Sequence, residues 1–157
     1  KIKEFLSILE GINFSIQKMK SKEENPYYIK QLLETILLIL DAENHHLREE
    51  NVLFPELENR GITGPTRIMR MEHDDLRAKK RKLKETAENV DNLDFDTFKA
   101  IVDETSKYIV FNLRDHIYKE NHILYPTALD HITDQKIWDD MKVRCDKVGY
   151  CSFTPGL

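Results

Sequence analysis

Glycine and proline are sparse, five of each in 157 residues, and no segment alternates apolar and polar residues as a half-buried strand would. Cysteine is sparser still. Cys145 and Cys151 lie six apart, which is neither a CxxC redox or zinc spacing nor a disulfide framework, so they read as two reduced thiols in a cytoplasmic protein. The longest apolar run, Ile36 to Leu40, falls far short of the ~20 residues that span a bilayer. The first residues carry no signal-peptide pattern. A clustered basic face is also missing. The net charge is -4, and the one basic run, KKRKLK at 79–84, sits among Glu and Asp and reads as a solvated helix face. Neither nucleic acid nor a membrane is therefore an expected partner. Histidine is absent from the first 44 residues, and nowhere is there an HExxH zinc-protease motif or a Gly-rich phosphate loop.

What is present is helical periodicity. Ile2, Phe5, Leu9, Ile12, Ile16 and Met19 recur at three- and four-residue steps and form one apolar stripe. A second helix starts at Asn25-Pro26, a fitting N-cap with Pro at the first helical position, and is expected to run to about Glu58, before Gly61. A third follows Thr63-Gly64-Pro65, with Met69, His73, Leu76 and Leu83 on one face. A fourth follows DNLDFD, with Phe98, Val102, Thr105, Ile109, Leu113, His116, Glu120 and Ile123 in register. The expected fold is all-α: an up-down-up-down four-helix bundle over residues 1–131. A short C-terminal helix bearing Trp138 and Met141, and a tail, follow over 132–157 and pack on or leave the bundle.

One phrase is written twice. Residues 45–55 read HHLREENVLFP and residues 116–126 read HIYKENHILYP, with four of eleven positions identical and three conservative. Residues i and i+4 share a helical face, so His45 pairs with Glu49 and His116 with Glu120. Both pairs fall on apolar stripes, the first with Leu38, Ala42 and Val52. A buried carboxylate without a partner costs several kcal/mol, so each pair must be bound to something. Depth brings in His73. Helices two and four run parallel in such a bundle, and at 1.5 Å per residue His73 lies level with both pairs to within about one turn. Three imidazoles and two carboxylates suit iron, manganese or zinc. Five protein groups cannot saturate two metals, so open positions remain for O2, NO, peroxide or water.

HHLREENVLFPELE, MEHDDLR and HIYKENHILYP together resemble the hemerythrin-like HHE cation-binding family, over about residues 2–130. GITGP before EHDDLR, and VGYC near the end, resemble a subgroup often followed by a PAS sensory domain. The resemblance implies a four-helix bundle around a non-haem, often di-iron, centre, with ligands at His45, Glu49, His73, His116 and Glu120. It also implies O2 binding, redox or NO sensing, iron-sulfur repair or iron handling. The leading expectation is a sensory or regulatory module holding two irons that meets O2, NO or peroxide. The alternatives are an iron-sulfur repair or oxidant-removing enzyme, and a mononuclear iron, zinc or manganese module. Two departures stand out. Arg77 occupies the place of a second His on helix three, and helix one has no His, so a ligand is expected before Lys1 or from Glu4 or Glu10.

Other candidates read differently. His46 points about 100° from His45 and is expected on a flank, with His46–Glu50 the fallback pair if the register is off. His122 lies on another face, and His131 on the surface. Glu72 and Asp75 are placed to orient His73. Tyr118 and Tyr125 read as core packing with a hydroxyl near bound oxygen. Pro55 and Pro126 should kink or end their helices. A ferritin-like plan needs two Glu-x-x-His copies, and only Glu43-x-x-His46 exists.

Overall fold

The computed structural model describes residues 1–152. Residues 153–157, part of the expected tail, lie outside the described residues. Among the described residues the chain is all-α, with no strand. Its helices are α1 (Ile2–Gln17), α2 (Pro26–Leu40), α3 (Glu43–Arg48), α4 (Phe54–Glu58), α5 (Gly64–Glu88), α6 (Phe95–Lys119), α7 (Tyr125–His131) and α8 (Gln135–Val148). Two π turns, Glu49–Leu53 and Glu120–Leu124, join α3 to α4 and α6 to α7. No helix among the described residues is long and apolar enough to cross a membrane.

The contacts divide the chain into two compact units. The first comprises Lys1–Leu40 and Asp75–Arg114. Here α1 packs on α2 and buries Leu6, Leu9, Ile12 and Ile16, the stripe read from the sequence. Phe98, Val102, Ile109 and Leu113 of α6 are buried as their spacing requires. Polar ties hold its surface: Asn13 Nδ2 donates to Asp103 Oδ1 at 3.0 Å, and Gln17 Nε2 to the Lys99 carbonyl at 2.9 Å. Glu4 and Glu10 are exposed and pair with Lys1 and Arg114, so neither stands in for a helix-one metal ligand. Leu38 is 41% exposed rather than sharing a face with His45. The reason is local: the second helix is not continuous but turns at 41–42, which separates the phase of α2 from that of α3.

The second unit comprises Asp41–Asp74 and the chain from Asp115 onward. Its apolar core includes Val52, Phe54, Leu57, Met69, Leu124, Ala128, Ile132 and Met141. The repeated phrase builds the repeated π turn. Neither Pro55 nor Pro126 has an N–H to donate, and each ring would strike the carbonyl four residues back. Widening the turn removes that clash: the Phe54 N–H reaches the Glu49 carbonyl, and the Tyr125 N–H the Glu120 carbonyl. Each proline then sits in the first turn of the next helix, where its missing donor costs nothing. The prolines thus do not end the helical path; each follows a turn widened by one residue. The two copies differ within this turn: Val52 is buried as expected, whereas its counterpart Ile123 is 46% exposed and Leu124 is buried in its place. π turns of this kind are frequent at functional sites.

The last helix, α8, packs on α3 and the first π turn. Asp134 caps its start by accepting from the Lys136 N–H at 2.9 Å. Gly149 ends it at φ 101°, a conformation that side chains disfavour. The Gly149 carbonyl accepts from Arg48 Nη1 at 2.7 Å, and Arg144 pairs with Glu56. These ties fix α8 against α3, which bears His45, and against α4.

Candidate metal centre

The five residues singled out by the repeat and by depth all lie in the second unit, where their side chains meet. His45 Nε2 lies 3.6 Å from Glu49 Oε1 and 3.2 Å from Glu120 Oε2. His116 Nε2 lies 3.0 Å from Glu120 Oε1 and 3.9 Å from Glu49 Oε1. His73 Nε2 is 3.4 Å from Glu49 Oε1 and 2.9 Å from His116 Nε2. His46 belongs to the same assembly, against its reading as a flank residue. It is buried, and its ring stacks on that of His73 at 4.2 Å between centroids. The cause is the changed phase of α3, which turns His46 inward and leaves His45 half-exposed.

The donors sort into two groups. His46, His73 and His116 form a buried triad, each offering a nitrogen within 4.8 Å of the others. His45, Glu49 and Glu120 form a second group of the same compactness. The carboxylates tie the two together: Glu120 sets one oxygen against His116 and the other against His45.

Three observations test whether these residues fit a cation. Two Nε2 atoms 2.9 Å apart can share only one proton, and a third imidazole stands beside them. The buried Glu49 Oε1 accepts no hydrogen bond although three imidazole nitrogens surround it. The outward nitrogens face carboxylates, His73 Nδ1 to Glu50 at 3.7 Å and His116 Nδ1 to Glu72 at 3.5 Å, which leaves Nε2 directed inward. Carboxylates behind metal-binding imidazoles play this part. The donor set fits a metal of the iron, manganese or zinc kind. Glu72, expected behind His73, stands behind His116 instead, and Lys119 Nζ holds it at 2.9 Å. Asp75 is exposed.

Electrostatics follow from the crowding. Burial alone would lower the His116 pKa, but the Glu120 carboxylate at 3.0 Å and the nearby charge of Glu49 outweigh it and push it up to about 9. Burial would raise Glu49 and Glu120; the imidazoles win and hold both below the usual carboxylate range. Tyr125 donates to Glu120 Oε2 at 3.0 Å, and burial next to two carboxylates pushes its phenol up. Its counterpart in the first copy is Phe54, so only one copy brings a hydroxyl to the site. Tyr118 and His122 stack on each other in solvent, and His131 is exposed. His46 is the residue that spacing from His45 missed. Its signal was the doubled HxxxE, His46 with Glu50 beside His45 with Glu49.

A sequence model of the Hemerythrin HHE cation binding domain matches residues 2–128. Curated relatives include proteins named "Iron-sulfur cluster repair protein YtfE". The one from Musicola paradisiaca (strain Ech703) is 31% identical over 98 residues, covering 59% of this chain and 44% of the relative. That from Yersinia pseudotuberculosis serotype IB (strain PB1/+) is 30% identical over 113 residues, covering 68% and 50%. The chain spans about half the length of these relatives.

Proposed function

Since the chain belongs to the hemerythrin HHE cation-binding family, we propose that its second unit holds a non-haem iron centre of two ions. The ligands are His45, Glu49, His73, His116 and Glu120, joined by His46. The observation that carries the reading is Glu120, whose two oxygens reach separate imidazoles, one in each donor group. A carboxylate so placed can serve two cations while its charge offsets part of theirs. Four imidazoles and two carboxylates leave coordination positions open. Iron supplies Lewis-acidic, redox-active positions for O2, NO or peroxide when bound. The chain's own residues orient and protect it: Glu50 and Glu72 fix the imidazoles, Tyr125 presents a hydroxyl, and the half-exposed His45 marks the side of approach.

The single open side at His45 supports reading the domain as a sensory or regulatory module. A second reading, iron-sulfur repair, is favoured by the name that the relatives carry. Kinetics separate the two. One stoichiometric absorbance change when NO or O2 meets the ferrous protein supports sensing; sustained consumption or delivery of iron to an apo-cluster protein supports repair. Metal analysis tests the centre itself. About two irons per chain are expected from two donor groups. Less than about 0.3 metal per chain in protein purified without chelator, unchanged in His116→Ala, overturns it.

A further inference from the structure

A cavity of about 470 Å3 opens on the His45 side of the donor groups, with His45, Glu49 and Tyr125 on its floor. Its size lies in the range of about 300–1,000 Å3 that encloses organic ligands, far more than a diatomic molecule fills. The walls are apolar, and much of one side belongs to α8. Trp138 turns its ring to the cavity, with its N–H spent on the Ile132 carbonyl at 2.7 Å. Met141, Ala128 and Leu129 continue the wall, with Leu129, 68% exposed, at its rim.

One polar group breaks this lining in a useful place. Arg48 sits in the wall with its guanidinium over the Tyr150 ring at 4.5 Å and one nitrogen donating to the Gly149 carbonyl. A guanidinium has five donors in a planar fork, so that bond leaves others for an anion, and the ring and carbonyl hold the fork in place. Lys142 also lines the cavity, but it is an exposed side chain paired with Asp146.

We propose that this cavity binds a small monocarboxylate with an apolar, preferably aromatic, body: the carboxylate against Arg48, the body along Trp138, Met141 and Ala128. Such a ligand would cover Leu129 and close the approach to His45, making access of small oxidants dependent on it. The binding stands apart from the metal's identity and count, and its failure leaves the iron stoichiometry above untouched.

Trp138 is the only tryptophan in the chain, so its fluorescence reports on the cavity alone. The test titrates the holoprotein with 4-bromophenylacetate, whose bromine quenches a touching indole, and with its neutral and cationic analogues, 4-bromobenzyl alcohol and 4-bromobenzylamine. Saturable quenching is expected, with the carboxylate bound about tenfold more tightly than the alcohol through a charge-assisted bond. Arg48→Gln should erase that tenfold preference, and Ala128→Phe, which fills the cavity, should abolish saturable quenching. No saturation, or an amine that binds as well as the carboxylate, overturns the proposal, and this wild-type comparison depends on no variant folding. A carboxylate preference that survives Arg48→Gln assigns the anion to the metal instead and equally overturns it.

Discussion

The two donor groups share their carboxylates yet live in different solvents. His73 and His116 have no exposed side-chain surface, and their far nitrogens face carboxylates held within the unit. His45 keeps 35% of its side chain exposed and stands on the floor of an apolar cavity. The same phrase, written twice, produced both environments. In the second copy His116 is the inward residue, and Lys119 turns to support Glu72. In the first copy two adjacent histidines divide the work, and Arg48, aligned with Lys119, turns outward to α8. A near-symmetric site thus has one sealed face that holds and one open face that admits.

The largest test of that difference removes one imidazole from each face. His116→Ala strips partners from Glu49 and Glu120 at once. Breaking a buried charged pair costs about 3 kcal/mol, so the metal-free protein should lose stability by that order in chemical denaturation. Iron content should fall toward zero, because both carboxylates lose their shared anchor. His45→Ala should cost less stability and leave about one iron per chain, since the triad keeps its three nitrogens. Equal losses in the two variants would erase the distinction between a sealed and an open face.

The helices were legible in the sequence because three- and four-residue periodicity survives in α1, α5 and α6, where packing is regular. The pairs His45–Glu49 and His116–Glu120 were legible because i,i+4 spacing is a property of any helix. What was hidden depends on departures from the helix. The turn at 41–42 changed the phase of α3 and brought in His46. The second copy buries Leu124 where the stripe placed Ile123, although the first copy buries Val52 as expected. The prolines that force those turns were visible, but read as kinks or stops. The sequence points to a proline's clash with the preceding turn and leaves two outcomes, a break or a wider turn; tertiary burial of Phe54 and Leu124 favours the second.

Exchanging Phe54 and Tyr125 sharpens the comparison further, since these aligned residues differ by one hydroxyl. Phe54 is fully buried, its ring beside that of His73 and under Arg70, so Phe54→Tyr forces a hydroxyl into an already packed interior. A cost of about 2 kcal/mol is expected for an unsatisfied buried hydroxyl. Tyr125→Phe removes a donor to Glu120 and leaves its shape intact, so about 1 kcal/mol is expected. Thermal unfolding of the metal-free variants measures both. Should Tyr125→Phe cost more than Phe54→Tyr, the hydroxyl is holding the open face together rather than merely sitting on it.

The smallest effect concerns the wall of the open face. Arg60, and then Arg144 of α8, hold the Glu56 carboxyl below its ordinary value of 4.5. A depressed carboxylate contributes stability above its unfolded-state pKa and loses it as pH falls through the lower folded-state value. The group is close to solvent, so the contribution is at most about 1 kcal/mol and shrinks with salt. Trp138 sits on α8 and can follow that helix alone. Its emission should begin to shift below pH 4.5 as Glu56 takes up a proton and releases Arg144. In Glu56→Gln the pair is already lost, so that part of the acid response should be missing while the sealed triad's unfolding is unchanged. An acid shift of Trp138 that is identical in Glu56→Gln would mean that the wall is held by Arg48 and Gly149 rather than by this ion pair.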